Sequence, residues 1–546
     1  MTSVDGMTRR VLGLESLLSR VTPRSETAAR RWRQLSSQRF VAASGRRERL
    51  DRLRRLDNAL SPETIDTIDA DLGQLPTLER PFRRLDAGEV LKDADFFELK
   101  RFFYQSVRIL EAVDGLDGLP GPESKSAELL RHAMATIHPE NEPSARFHLA
   151  DELSQALAAG RKQRRRIRRE LKKLRRDLEA QVLQGVEGKF DIHGRFHPAD
   201  AAQITDDRLV FERGQYRLST PELDALQARF EKQGHEVLGL ESQQRERLTR
   251  FIETIEQEIA ELHEQLVRFD LRIARVELRR QLQGCWPHFV DGQEAWLSIR
   301  EGREPSLVRE IGADEVQPVD VALERPGTVV TGPNMGGKSV LLRLIGVVQW
   351  CAQLALPVPG VECAVRDVSH IVYIGSEEPG RSEATEGLSS FGREVRRFVE
   401  HWDVEGPILW LLDEPGRGTH PDEGARLAAE ISEKLVDRGD YVVMATHFPS
   451  LANNDGFASL QIAGLDVDDA TLEEALADVR QGATTLQALL RRFMDYRVVE
   501  ADNAQVPRDA RRVACALGLK LESPIVPTPS VPSESNRYPD GGNTRH

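Results

Sequence analysis

Cysteine is scarce in this chain of 546 residues, with four, at positions 285, 351, 363 and 515, and no C-x-x-C pair. That excludes a disulfide framework and a zinc ribbon and fits a reducing cytosol. Long apolar runs are missing too. No stretch reaches the roughly 18 uncharged apolar residues that a membrane span requires, and the N-terminus lacks the apolar core of a signal peptide. The chain is therefore expected to be cytoplasmic, with no membrane partner. A basic excess is also absent, since 75 Lys and Arg face 88 Asp and Glu, for a formal charge of −13. A uniformly basic coat for nucleic acid is excluded, so any such surface must be local. No internal repeat is visible, and the length predicts roughly two to four domains.

What is present falls into blocks. Residues 1–145 read as an all-α helical core domain, because apolar positions recur at three- and four-residue spacing in VLGLESLLSRV and DADFFELKRFFYQSVRILEAV. Residues 146–285 read as a long antiparallel coiled-coil arm. Its first helix is expected as one piece from Leu149 to Leu183, broken only by Gly160. A small β-prone tip at 186–218 includes RLVFE and QYRLS. Ser219 or Thr220 can cap the returning helix and Pro221 suits its first turn. Unbroken apolar spacing to Leu282 predicts one helix of roughly 90 Å. Residues 286–500 alternate short apolar runs (GTVV, HIVYIG, PILWLL, DYVVMAT) with amphipathic stretches, which predicts an α/β domain with a mostly parallel sheet. Residues 501–522 read as a C-terminal helical segment, and 523–546, rich in Ser, Pro and Gly, as a disordered tail.

The α/β block carries the chemistry. GTVVTGPNMGGKS places Gly332, Gly337, Lys338 and Ser339 in a G-x-x-x-x-G-K-[ST] phosphate loop, between a β-prone run and an apolar helix. Backbone N–H groups of Gly332, Pro333–Gly337 excepting the proline can close on phosphate oxygens, and Lys338 can reach the β and γ phosphates. Ser339 can ligate Mg2+. PILWLLDEPGRGT ends an apolar strand with Asp413, suited to the magnesium shell, and Glu414, suited to polarising the attacking water. VVMATH ends another with His447, which can contact the γ-phosphate or orient that water. ATP and Mg2+ are the implied substrate and cofactor.

The runs TGPNMGGKS, LLDEPGRGT and ATH together resemble the MutS family of ABC-type ATPases, as do TPELDALQARF and EGREPSLV upstream. The resemblance covers most of residues 15–520. It implies a P-loop ATPase that works as a homodimer, with Ser389 in GLSSFGREV as the signature serine reaching the partner's nucleotide. It also implies that Asn334, beside Met335 and Gly336, helps to order the phosphates. Departures are Val316 where the family's adenine-stacking aromatic would align, Val340 for Thr and Pro415 for Leu. The mismatch-reading N-terminal module and the C-terminal Smr nuclease domain are expected to be missing.

The target stays open at this point. The run GRKQRRRIRRELKKLRR offers Arg164, Arg165, Arg168, Arg169 and Lys172 to DNA phosphates. Equally, these can form a solvated face pairing with Glu253, Glu256 and Glu261 of the returning helix. The tip mixes acids and bases, and Gly194 and Pro198 exclude the helix that would make His193 and His197 a metal pair. Two functions follow from the resemblance. One is an ATP-dependent DNA-binding protein of the mismatch-repair or branched-DNA type. The other is a chaperone ATPase that remodels a protein client, such as an adenosylcobalamin-dependent aminomutase.

Overall fold

The computed structural model describes residues 3–35, 40, 43–138, 147, 149–199, 204, 206–292, 294–333, 337–375, 390–416, 419–448, 451, 456–468, 471–472, 474–475, 489 and 493–501. The expected segments 502–522 and 523–546 lie outside these residues. The chain divides into two compact units, one of Met1–Ala313 with Ile345–Ile371, the other of Asp314–Leu344 with Val372–His546. No helix among the described residues is long and apolar enough to cross a membrane.

The first unit begins with α1 (Gly6–Val11), α2 (Leu14–Leu18), α3 (Glu26–Leu35), α4 (Ala43–Ala59), α5 (Pro62–Gly73), α6 (Glu79–Asp86), α7 (Asp93–Val113) and α8 (Lys125–Ile137). The apolar spacing of α7 works as read: Phe96, Leu99, Phe102, Phe103, Ile109 and Leu110 are all fully buried. Each such side chain contributes about 1.5–3 kcal/mol relative to exposure. The helix starts where Asp95 Oδ2 accepts from Lys92 N–H at 2.8 Å, and α8 starts where Ser124 Oγ accepts from Ala127 N–H at 3.2 Å.

Two further helices, α9 (Gln155–Gly185) and α10 (Pro221–Glu253), run side by side in opposite directions. A Cβ at Gly160 would lie 3.3 Å from Val237, so this glycine sets a close approach of the two backbones. Here the sequence reading needs two corrections. Helix α9 begins at Gln155, not Leu149, because residues 151–153 form a 3-10 turn and Ser154 Oγ caps Leu157 N–H at 3.3 Å. The stretch from Pro221 to Leu282 is not one helix: it is divided into α10 and α11 (Glu256–Leu282). At the break, Thr254 Oγ1 donates to Phe251 C=O at 2.6 Å, and Ile255 leaves helical geometry at ψ 11°. A threonine hydroxyl that bonds back onto the preceding turn competes with the helix ladder. Of the two candidate caps of α10, Ser219 and Thr220, it is Thr220 whose Oγ1 accepts from Leu223 N–H at 3.2 Å.

Helix α11 is the spine of the first unit. Leu266, Phe269, Ile273 and Val276 are buried, and so is Asp270. Its carboxylate accepts from Arg24 N–H (2.9 Å), Ser25 N–H (2.8 Å) and Ser25 Oγ (2.7 Å), capping α3 from another helix. Such satisfaction makes burial of a carboxylate tolerable.

Between α9 and α10 lies the tip, an antiparallel sheet in the order β1 (Gly188–Phe190), β2 (Arg195–Pro198), β4 (Gln215–Leu218), β3 (Leu209–Glu212). The pieces RLVFE and QYRLS are its β3 and β4. Phe196, Leu209 and Leu218 pack with Val182, Val186 and Leu223 from the helix ends. His193 and His197 belong to the β1–β2 hairpin, where Gly194 takes φ 74°.

Beyond Trp286 the elements are β5 (His288–Phe289), β6 (Leu297–Gly302), α12 (Pro305–Ile311), β7 (Val319–Leu323), β8 (Gly327–Thr331), α13 (Lys338–Gln353), β9 (Glu362–Val365), β10 (His370–Ile374), α14 (Ser390–Trp402), β11 (Ile408–Asp413), α15 (Pro421–Asp437), β12 (Tyr441–Ala445), β13 (Ala458–Leu465) and β14 (Met494–Glu500). In the first unit β5, β9 and β6 form a mixed sheet, with β5 parallel and β6 antiparallel to β9. The second unit holds a sheet in the order β10-β11-β12-β8-β13-β14. Its neighbours β11, β12, β8 and β13 are parallel, and β14 closes the edge antiparallel to β13. All of β8 is buried, as is β11 up to Asp413, the mark of strands covered on both faces. Buried Asp440 accepts from Ile408 N–H at 3.0 Å and Trp410 Nε1–H at 2.9 Å, fixing the start of β11.

Candidate functional site

Parallel pairing aligns the ends of three strands. Asp413 stands opposite Ala445, and Ala445 opposite Val330, so the carboxyl ends of β11, β12 and β8 share one edge of the sheet. Open parallel sheets bind ligands in this position. The segments leaving that edge are those with the chemical motifs.

Gly332 and Gly337 have φ 151° and 90°. A Cβ would lie 3.1 Å from Ile462 at the first and 3.1 Å from the Tyr496 ring at the second. A side chain would crowd Ile462 in the first place and Tyr496 in the second, and both φ values favour glycine, which leaves these backbone amides bare. Asn334, Met335 and Gly336 lie outside the described residues. Lys338, the first residue of α13, is buried, and its ammonium donates to the carbonyls of Gly332 (3.0 Å) and Pro333 (2.9 Å). Burial holds this ammonium below the ordinary lysine range, and the charges of Glu414 and Asp413 oppose that shift. Ser339 follows on the exposed side of the first turn.

At the end of β11, Asp413 Oδ2 accepts from Tyr373 O–H at 2.7 Å. Burial and the neighbouring Asp413 carboxylate push the Tyr373 phenol up, so it stays a donor. Glu414 adopts φ 53°, left-handed for a residue with a Cβ, and its N–H donates to Ala445 C=O at 2.9 Å. Strain of that kind concentrates at functional positions. Its Oε1 lies 3.8 Å from His447 Nδ1, and His447 packs on Phe448 with ring centroids 4.4 Å apart. Gly416 N–H donates to Glu394 Oε2 at 2.9 Å, tying the loop after Glu414 to α14. Burial pushes the Glu394 carboxyl up, although this hydrogen bond works in the other direction.

The described motif residues Lys338, Asp413, Glu414 and His447 are therefore brought to one sheet edge. Ser389 lies outside the described residues. Val316 is buried, as an aliphatic there should be. Sequence reading missed Tyr373, Glu394 and Tyr496. Tyr373 was legible only as part of the HIVYIG strand, and Glu394 and Tyr496 carry no motif.

Residues 328–485 match the family MutS domain V. The full chain is 37% identical over 193 residues to Endonuclease MutS2 of Pelotomaculum thermopropionicum, covering 34% of this chain and 23% of the relative. It is 30% identical over 267 residues to Endonuclease MutS2 of Geobacillus kaustophilus, covering 47% of this chain and 32% of the relative. DNA mismatch repair protein MutS of Sorangium cellulosum is 30% identical over 262 residues, 46% of this chain and 28% of the relative. Each match thus spans a third or less of the relative's length, at most 32% here. These likenesses support a place in the MutS family. The sheet edge just described falls in the MutS domain V stretch from its first strand to His447.

The basic helix gives a mixed picture. Arg164, Arg165, Arg168, Arg169 and Lys172 are all exposed on α9. Arg164 lies over the Phe230 ring at 5.1 Å, Arg165 pairs with Asp151 at 3.6 Å, and Arg169 donates to Arg165 C=O at 3.4 Å. Arg168 and Lys172 have no side-chain hydrogen bond or ion pair among the described residues. The expected pairing of this face with Glu253, Glu256 and Glu261 is corrected. The antiparallel register brings Glu241 to Arg161 at 2.8 Å instead, and Glu256 faces Asp86 and Glu253.

Proposed function

We propose that the chain binds and hydrolyses MgATP at the carboxyl edge of the β11-β12-β8 strands and uses the cycle to act on DNA. The observation that carries this reading is the meeting of a buried lysine, a loop whose two positive-φ glycines crowd any Cβ, and an adjacent aspartate and glutamate at the carboxyl ends of three adjacent parallel strands. Gly332, Pro333, Asn334, Met335, Gly336 and Gly337 wrap the phosphates, and Lys338 turns from its loop carbonyls to the β and γ oxygens. Ser339 and Asp413 supply hard oxygens that suit Mg2+, which when bound neutralises phosphate charge. Tyr373 holds the Asp413 carboxylate in place. Glu414 takes the proton of the attacking water, and His447, 3.8 Å away, orients that water or meets the γ-phosphate.

Ser389 completes the site from a second copy, so the active form is a homodimer. The DNA-acting assignment rests on the relatives named for DNA repair and endonuclease action, and on the exposed Arg168 and Lys172. Branched or mismatched DNA is the substrate class, held through phosphates.

The test is ATP turnover by the full chain with and without branched DNA across a salt series. Stimulation that fades steeply with salt is the expected result. Turnover indifferent to DNA at low salt would reject the DNA assignment and transfer the motor to a protein client.

A further inference from the structure

A second site lies in the first unit, lined in part by the EGREPSLV run and by none of the residues of the sheet edge. The turn between α1 and α2, the end of α2 and helix α12 line a half-open cavity of about 350 Å³. That volume is within the range of small-ligand pockets. Its walls are aliphatic, from Leu12, Leu17, Val308 and Val347, and no aromatic side chain lines it.

Half-buried Arg20 and exposed Arg309, with Ser16, Ser19 and Ser306, complete the cavity's lining. Arg309 donates to Ser16 Oγ at 2.7 Å, and Arg20 to the Gln281 carbonyl at 3.4 Å. Neither arginine has a carboxylate partner among the described residues. Two acids of these elements, Glu15 and Glu304, are engaged elsewhere. Glu15 pairs with Arg9 at 2.6 Å, and the Glu304 oxygens accept from the amides of Ser306 (2.9 Å) and Leu307 (2.7 Å). Burial pulls the Arg20 guanidinium below its ordinary range, as expected for a cation facing the cavity without a counter-charge.

The wall itself is tightly made. Gly13 takes φ 65°, and a Cβ there would lie 2.4 Å from Ser306 Oγ. Only glycine lets the α1–α2 turn press on α12 so closely.

We propose that this cavity binds a small molecule with an oxyanion head, phosphate or carboxylate, on a short aliphatic body. Arg20 and Arg309 grip the head with the Ser16 and Ser306 hydroxyls, and Leu12, Leu17 and Val347 cover the body. Arginines without a carboxylate partner favour an oxyanion over a neutral polar group. The lack of an aromatic wall selects an aliphatic body over a base or ring that would need stacking.

The experiment is calorimetric titration of the full chain with hexyl phosphate and with hexanoate, MgADP being present throughout to keep the phosphate loop filled. At least one of the two is expected to bind saturably, one per chain, and to weaken about 10- to 100-fold in Arg20→Gln and Arg309→Gln, the range for losing a hydrogen bond to a charged group. Arg309 is exposed, so its variant folds even if that of Arg20 does not. Binding must persist in Lys338→Ala; its loss there would assign the titration to the phosphate loop and overturn the proposal. No saturable binding of either compound at millimolar concentration would also overturn it. So would unchanged affinity in Arg309→Gln, or inorganic phosphate binding as tightly as hexyl phosphate.

Discussion

Tyr373 of β10 donates a hydroxyl hydrogen bond to Asp413 Oδ2 at 2.7 Å, across the edge where β11 ends. A carboxylate with one oxygen held in this way presents the other in a fixed direction. Tyr373→Phe removes the hydroxyl and little else, so it should cost about 1 kcal/mol of stability. The Mg2+ concentration for half-maximal turnover should rise about three- to tenfold, which a magnesium titration measures. An unchanged magnesium requirement would make the bond purely structural.

Lys338→Ala should abolish nucleotide binding, read as loss of a fluorescent ATP analogue's signal. The wild-type lysine also sets a pH dependence. Its ammonium is held below the ordinary value of 10.5 by burial, so affinity that needs the charge should fall as pH rises, beginning lower than for an exposed lysine. The sign for folding is the opposite one. The buried charge is penalised at neutral pH, and the penalty eases as pH rises toward 10.5.

Glu414→Gln should keep ATP binding and lower turnover about 100-fold or more, the usual contribution of a general base. An ATP-bound dimer should then accumulate on size exclusion. Normal turnover would move the base to another residue.

The candidate site was legible where spacing itself carries chemistry. A glycine-rich loop ending in Lys-Ser and a strand ending in Asp-Glu are local in sequence, and strand pairing only had to bring them together. Tyr373 could not be read in the same way, because a tyrosine on a buried strand is first of all apolar area. Its role depends on which strand lies next to β10. Glu394 and Tyr496 are further cases of contacts made only by the fold, since Gly416 and Gly337 lie 22 and far more residues away in sequence. In the helical half, apolar periodicity placed α7, and of the two caps offered for α10, Ser219 and Thr220, the structure uses Thr220. The periodicity overran the break after Glu253 because Thr254 and Ile255 keep the apolar rhythm while a side-chain hydrogen bond ends the helix. The pairing of acids and bases failed because register is set by Gly160 and Val237, which carry no charge.

Glu394→Gln keeps an acceptor for the Gly416 amide and removes a charge that burial disfavours. A carboxyl raised above 4.5 in the fold binds its proton more tightly there than when unfolded. Its contribution is therefore favourable at low pH and is lost as pH rises through the folded value. The variant should match or exceed wild-type stability at pH 7, with the order reversing or closing near pH 4 in urea melts.

Arg275 is buried over the Trp32 ring at 5.5 Å, and its Nε has no hydrogen-bond partner among the described residues. Burial, with the like charges of Arg49 and Arg272, pushes its guanidinium down to about 9. Folding penalises the charged form below that pH, and the penalty eases above it. Arg275→Met forgoes a cation–π contact of about 0.5–2 kcal/mol but removes the larger desolvation cost. It should raise the urea midpoint at pH 7, and the gain should shrink by pH 10.

The break at Thr254 and Ile255 has a mechanical consequence. One helix over the whole stretch would be a slender rod of roughly 90 Å, and the sideways give of a rod grows as the cube of its free length. The two pieces have 33 and 27 residues. Only the first, roughly 50 Å long, runs out toward the β1–β4 tip beside α9. Ile252, Ile255 and Ile259 on either side of the joint are buried in the helical core, which clamps the base of this beam. A load at the tip therefore meets a short, doubled cantilever with a built-in root.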